Sequence, residues 1–185
     1  MLPLLGLITL GVVAITGCGT SNSTAAAPVV PSPSAPQASM CTPGPGITQT
    51  TKTASFLLVL DVGSPEKMYT PAQVQAQHPT DGEVMLSGRM ATMNNPADPQ
   101  HLEVHICTRT SGQVTSGVQP VITLIDESGN HLTQHIPTLV MQGITAGAGD
   151  LHYGNIVNMP PAHQFTITVA VTGETATFHL MTAKS

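Results

Sequence analysis

The sequence predicts an all-β fold, an immunoglobulin-like antiparallel β-sandwich of seven to eight strands. Short apolar or alternating runs recur at fairly regular intervals after the first quarter of the chain. Gly, Pro, Asn or Asp bounds each run, and no segment keeps a helical periodicity beyond one short turn. Because aromatic residues make up 3% of the chain and Trp is absent, we expect an aliphatic core.

The first strands follow from local patterns. The run SFLLVLDVG ends at Gly63 and suits a buried strand. One helical turn is predicted after it, with Thr70 as cap and Pro71 at the first helical position. Further strands are predicted in EVMLSGRM, HLEVHICTR, PVITLID, HIPTLVMQG and NIVNM.

The carboxyl end predicts a hairpin. The runs FTITVAV and TATFHLM alternate apolar and polar residues and are separated by TGE. Alternate residues of a strand share a face, so the apolar side chains of the two runs match across the hairpin. These are Phe165, Ile167, Val169 and Val171 on one strand and Ala176, Phe178 and Leu180 on the other.

The amino end predicts export and a lipid anchor. Leu2 to Ile15 is an apolar run of signal-peptide length, too short to span a bilayer. It leads into ITGC, which is similar to the bacterial lipoprotein box in which Cys18 is lipidated, although no Lys or Arg precedes the run. We therefore expect a lipoprotein signal peptide over residues 1–17, with an uncleaved short membrane-anchor helix as the alternative.

A tether is predicted over residues 18–53. It is rich in Ser, Thr, Ala and Pro, and it has too little apolar surface to offset the entropy of ordering. The sandwich is predicted over residues 54–185. If Cys18 carries lipid, Cys41 and Cys107 remain as a possible disulfide in an oxidising compartment; alternatively, Cys41 stays in a mobile leader.

Charge and motifs exclude several functions. Five Lys and Arg stand against ten Asp and Glu, so a basic nucleic-acid footprint is absent. No nucleophile elbow, phosphate loop or dinucleotide fingerprint is present. The adjacent carboxylates Asp126 and Glu127 lie at a predicted turn. We therefore expect a protein that is not an enzyme.

Two segments carry candidate metal ligands. In HLEVHI the residues His101, Glu103 and His105 share one strand face. This face could bind a metal ion, and the alternative is that it is ordinary solvent-exposed surface. In MQGITAGAGDLHYGN, a loop of small residues can bring Met141 near Asp150 and His152, and the alternative is a plain Gly-rich hairpin. Imidazole and thioether suit copper, while carboxylate with imidazole suits iron or manganese.

These motifs resemble the extracytoplasmic iron-transport accessory family. HLEVHI, the downstream Met, DLHYGN and the closing hairpin carry the resemblance. It implies an immunoglobulin-like sandwich, which typically dimerises, with copper and possibly iron as cofactors. By position, His101, Met141 and His152 would bind copper, and Glu103 and Asp150 would lie beside them for a second ion.

The resemblance also implies a setting and partners. The protein would be anchored by lipid to the extracytoplasmic side of a bacterial cell membrane and would assist iron uptake with an iron permease or oxidase. The sequence departs from the family pattern in a longer interval between Met141 and His152 and in Asp150, which stands one residue closer to the histidine. It also lacks a late histidine, for which His179 is a possible substitute.

A non-metal immunoglobulin-like binding or structural lipoprotein of the cell envelope is the alternative function, with histidines facing solvent. On the sequence alone, His105 is expected to be surface, as are His131 and His135 around a turn. Three methionines are either core gap-fillers or, for the last two, a copper-handling lip. They are Met85, Met90 and Met93.

Overall fold

A computed structural model of the protein describes residues 41, 46–87, 96–128 and 133–184. The predicted signal peptide, Cys18, most of the predicted tether, Met90, Met93 and His131 lie outside the described residues. The described strands and helix are β1 (Ile47–Lys52), β2 (Phe56–Gly63), β3 (Met68–Tyr69), α1 (Pro71–Gln77), β4 (Glu83–Ser87), β5 (Pro99–Thr108), β6 (Val121–Asp126), β7 (Thr133–Ile136), β8 (Leu139–Gly143), β9 (His152–Asn158), β10 (Gln164–Val171) and β11 (Glu174–Met181).

The strands form two sheets, and the predicted all-β sandwich is confirmed. The larger sheet has seven strands in the order β1-β2-β5-β9-β8-β4-β3, and the smaller has four in the order β11-β10-β6-β7. Neighbours are antiparallel except β3 and β4. Apolar side chains of both sheets share one core cluster. It includes Leu58, Leu60, Leu102, Val104 and Ile106 from the larger sheet and Ile122, Ile167, Val169 and Phe178 from the smaller.

The predicted terminal hairpin is confirmed. β10 and β11 pair antiparallel from Gln164 opposite Met181 to Val171 opposite Glu174. Thr172 and Gly173 connect them with φ of 47° and 84°. Two consecutive positive φ values define the tight hairpin turn whose twist matches that of the strands.

The predicted helical turn is also confirmed. α1 begins at Pro71 with Thr70 as its cap, and the Thr70 hydroxyl accepts a hydrogen bond from the Gln73 amide. The Gln73 side chain accepts in return from the Thr70 amide at 2.8 Å. This reciprocal box satisfies two backbone donors that the first turn leaves without a partner.

Eleven strands are described where seven to eight were predicted. The predicted strand HIPTLVMQG divides at Pro137, which has no amide hydrogen for a ladder. β7 before it pairs with β6, whereas β8 after it pairs with β4 and β9 in the other sheet. The segment predicted as one strand is therefore two strands, one in each sheet.

The predicted boundary at residue 54 is wrong. Ile47–Lys52 was assigned to the tether but forms β1, which pairs along its length with β2. None of the side chains of residues 48–52 is buried, so the ladder with β2 gives this strand its order. The folded domain therefore includes the last residues of the predicted tether.

The predicted disulfide between Cys41 and Cys107 is present. The Cys41 amide also donates to the Gly112 carbonyl at 3.2 Å. Closing a loop across a sequence separation of 66 stabilises a fold by about 4 kcal/mol in the chain-entropy model. Such bonds persist in oxidising compartments. Within the residues described, no helix has the length and apolar character needed to cross a membrane.

Candidate metal centre

The two faces of β5 determine where the candidate site lies. Leu102, Val104 and Ile106 face the apolar core. The alternate residues His101, Glu103 and His105 face away from it, as strand geometry requires. They are nevertheless buried, and His105 has 0% exposure. The expectation that His105 is surface was therefore wrong.

Glu103 lies at the centre of a cluster of imidazoles. Its Oε1 is 3.1 Å from His101 Nδ1, and its Oε2 is 3.5 Å from His105 Nε2. His152, on neighbouring β9, places its Nδ1 3.8 Å from Glu103 Oε2. The strand register explains why His152 lies close to Glu103: Glu103 pairs with Gly154, two residues beyond His152.

Glycine at position 154 allows β5 and β9 to approach. A Cβ there would overlap the Leu102 carbonyl. Gly143 has a related function, since its amide donates to Asp150 Oδ2 at 3.1 Å and a Cβ would crowd that same oxygen. Both glycines therefore lie where a side chain would disturb the cluster.

Two further carboxylates complete the surroundings. Asp150 ends a 3₁₀ turn over Gly147–Asp150, and its Oδ1 is 4.0 Å from His105 Nε2. Glu83 begins β4, and its Oε2 is 3.4 Å from His152 Nε2. Sequence reasoning missed Glu83, because a single carboxylate at the start of an ordinary strand gives no sign that it will be buried.

The tautomer of His152 follows from its backbone contact. Its Nδ1 lies 2.7 Å from the Asp150 carbonyl oxygen, which can only accept a hydrogen bond. Nδ1 must therefore carry the proton, and Nε2 keeps its lone pair. A hydrogen bond of this kind commonly orients a metal-binding histidine in proteins.

Many polar atoms of the cluster are buried without a hydrogen bond among the described residues. They are both ring nitrogens of His101 and His105, Nε2 of His152 and Oε2 of Glu83. Leaving a buried polar group without a partner costs about 1–3 kcal/mol. A bound cation would satisfy several of these atoms together, so the residues present fit a metal ion.

Ligand atoms converge in two groups. Glu103, His105, Asp150 and His152 offer one set of atoms that all lie within 4.8 Å of one another, and Glu66, His101 and Glu103 offer another. Glu103 belongs to both, so its two oxygens could serve adjacent positions. Glu103 and Glu66 also line a cavity of about 830 Å³, which gives this side of the cluster a route to solvent.

The shifted pKa values of Glu103 and His152 favour the protonation states that bind a cation. Burial raises the pKa of Glu103, but interactions with His101, His105 and His152 outweigh it and hold that pKa well below its usual range. Burial lowers the pKa of His152 to about 4. Near neutral pH, Glu103 is therefore anionic and His152 neutral, the states in which each binds metal.

The other carboxyls show the cost of concentrating negative charge. Burial, followed by repulsion from Asp150, Glu103 and Glu66, raises the pKa of Glu83 to about 8. Burial is also the largest cause of the raised pKa of Asp150. A cation would relieve this repulsion.

The structure places the five predicted metal ligands on one sheet face or at its edge. His101, Glu103, Asp150 and His152 lie in the cluster described above. Met141 is buried and directly opposite His152 in the β8–β9 ladder. The interval of small residues between Met141 and Asp150 forms a turn and the 3₁₀ segment, which return the chain to the sheet.

The histidines of the smaller sheet lie elsewhere. His179 is exposed on β11, and its Nδ1 is 3.1 Å from the Thr166 hydroxyl. His135 is exposed on β7 and makes the same kind of contact with Thr123. His179 therefore does not substitute for the late histidine of the family pattern, and the expectation that His135 is exposed is confirmed.

In comparisons with known proteins, no family model, curated protein or solved structure matches this chain. Fold and site together define an all-β sandwich with a buried His, Glu and Asp cluster that could hold a metal ion.

Proposed function

We propose that this protein is a membrane-tethered, extracytoplasmic metal-binding protein that handles copper and iron and assists iron uptake. The observation that carries the proposal is the buried cluster around Glu103, in which five of the six ring nitrogens of His101, His105 and His152 lack a hydrogen bond among the described residues. Folding alone does not favour such a cluster, because each desolvated polar group lowers stability.

The donor set supports the choice of metals. Glu103, His105 and Asp150 offer oxygen and nitrogen ligands suited to iron or manganese. Met141 and His152 add the soft thioether and imidazole suited to copper. Bound copper would supply one-electron redox chemistry beside the carboxylates.

The setting rests on other features. The disulfide agrees with an oxidising compartment, and the ITGC sequence supports lipidation of Cys18. The resemblance to the iron-transport accessory family supports an iron permease or oxidase as partner, and a homodimer as the assembly. The competing function, a lipoprotein without metal, assumed solvent-facing histidines, whereas His101, His105 and His152 are buried.

Metal content tests the proposal. The domain would be purified without an affinity tag that binds metal, loaded separately with Cu(I), Cu(II) and Fe(II), desalted and analysed by mass spectrometry. We expect bound metal in the parent protein and a loss in His101→Ala and His152→Ala. His135→Ala and His179→Ala are matched controls, because they remove histidines from the smaller sheet. A parent protein with no copper or iron above background would refute the proposal.

A further inference from the structure

His152 has a second ring nitrogen, Nε2, that can bind a metal ion. Because Nδ1 donates to the Asp150 carbonyl, Nε2 holds the lone pair, and it is buried without a hydrogen bond among the described residues. Nε2 lies 3.4 Å from Glu83 Oε2, so it points toward β4. The ligands available to this nitrogen are therefore those that β4 and β8 bring to the same face.

A row of side chains crosses these strands. Met141 on β8 is directly opposite His152 on β9, and Met85 on β4 is directly opposite Met141. Directly opposite residues of an antiparallel pair share a face. Glu83, two residues before Met85, contacts His152 and confirms that this face of β4 carries the cluster.

The spacing of the row suits one ion. Neighbouring strands lie about 4.8 Å apart, so His152 and Met85 stand roughly 10 Å apart with Met141 between them. An imidazole and a thioether leaning from the two sides span most of this interval. Metal–ligand bonds of about 2.0 to 2.3 Å would cover the remainder, and Met141 lies between the other two residues in the row.

We infer that Met85 completes a copper(I) site with Met141 and His152 Nε2, separate from the oxygen-rich position around Glu103. The inference rests on the proposed metal-binding function and sharpens it. Two thioethers and an imidazole are soft ligands that select Cu(I), whereas the carboxylates favour harder cations. Met85 is half-buried while Met141 is fully buried, so copper would enter from the β4 side.

Copper(I) affinity of Met85→Leu tests this assignment. The purified full-length protein would compete with bicinchoninate for Cu(I) in the presence of a reductant. Met159→Leu is the matched control, because Met159 is a buried methionine of the apolar core cluster and is not part of the row across β4, β8 and β9. We expect Met85→Leu to weaken Cu(I) binding at least as much as the 10–100-fold that loss of an outer-shell partner causes, and to leave Fe(II) binding unchanged.

X-ray absorption of the copper-loaded parent protein gives a second measurement, which does not depend on how the variant folds. We expect two sulfur neighbours around Cu(I), falling to one in Met85→Leu. Equal Cu(I) affinity in parent and variant, or a single sulfur in the parent, would overturn the inference. A parent protein that binds neither Fe(II) nor copper would instead refute the proposed function.

Discussion

The two faces of β5 are equally buried but chemically opposite. Leu102 and Val104 on one face have 0% exposure, and His105 on the other face also has 0%. The first face packs against the smaller sheet and gains stability from excluding water. The second face buries imidazoles and a carboxylate without a full set of hydrogen bonds, which costs stability.

The difference lies in the free energy of burying each face. Burial of Leu102 stabilises the fold, because apolar area leaves water. Burial of His101, Glu103 and His105 destabilises it unless a ligand offsets the cost of desolvation. The apolar face therefore holds the sandwich together, and the polar face is the part that a bound cation would stabilise.

Removing an apolar side chain should have the largest effect on folding. Leu102→Ala should lower the free energy of unfolding of the metal-free protein by about 2–5 kcal/mol, because it leaves a cavity between the sheets. Urea denaturation followed by circular dichroism measures this. A loss below about 1 kcal/mol would show that the two faces do not differ as described.

Removing the central carboxylate should have the largest effect on metal binding. Glu103→Gln keeps the shape of the side chain but loses the charge shared by both ligand groups. We expect metal affinity to fall by about 100-fold, or about 2.7 kcal/mol, measured by calorimetry. Glu174→Gln is the control, because Glu174 bonds Ser55 outside the cluster, and it should bind metal normally. Equal affinity in Glu103→Gln would remove Glu103 from the site.

The polar face should make stability depend on pH. Because the pKa of Glu83 is raised to about 8 in the fold, its contribution is fully present below pH 4.5 and is lost as pH rises toward 8. His152 and Glu103 have lowered pKa values, so their contributions are lost as pH falls, below 6.5 for His152 and below 4.5 for Glu103.

Above pH 6.5 only the effect of Glu83 remains among these three groups. The metal-free protein should lose at most about 2 kcal/mol between pH 6.5 and 8, less any screening by solvent. Denaturation at a series of pH values measures the decline. Glu83→Gln should abolish it, and a decline that persists in this variant would assign it to another group.

Removing a polar side chain of the buried face should have the smallest effect on folding. His105→Leu should change the free energy of unfolding of the metal-free protein by less than about 1 kcal/mol, because removal of two buried nitrogens that lack hydrogen bonds offsets the loss of the contact with Glu103. The same urea titration measures it beside Leu102→Ala. Similar losses in the two variants would contradict the comparison.

The sequence by itself determined the all-β class, the capped helical turn and the closing hairpin. These depend on local chemistry: alternation in β10 and β11, and the Thr70, Pro71 and Gln73 pattern at α1. A side chain two residues away along a strand is on the same face whatever the rest of the chain does. The alternation of β5 therefore suffices to place His101 and Glu103 together.

Only the tertiary structure decided that the polar face of β5 is buried and what it meets there. Alternation shows that His105 and Leu102 face opposite ways, but not that both faces are covered. Likewise, no local pattern brings Glu83 to His152 or Met85 to Met141. These residues come together because β5, β9, β8 and β4 are neighbours in the larger sheet. Packing of the whole chain sets that strand order.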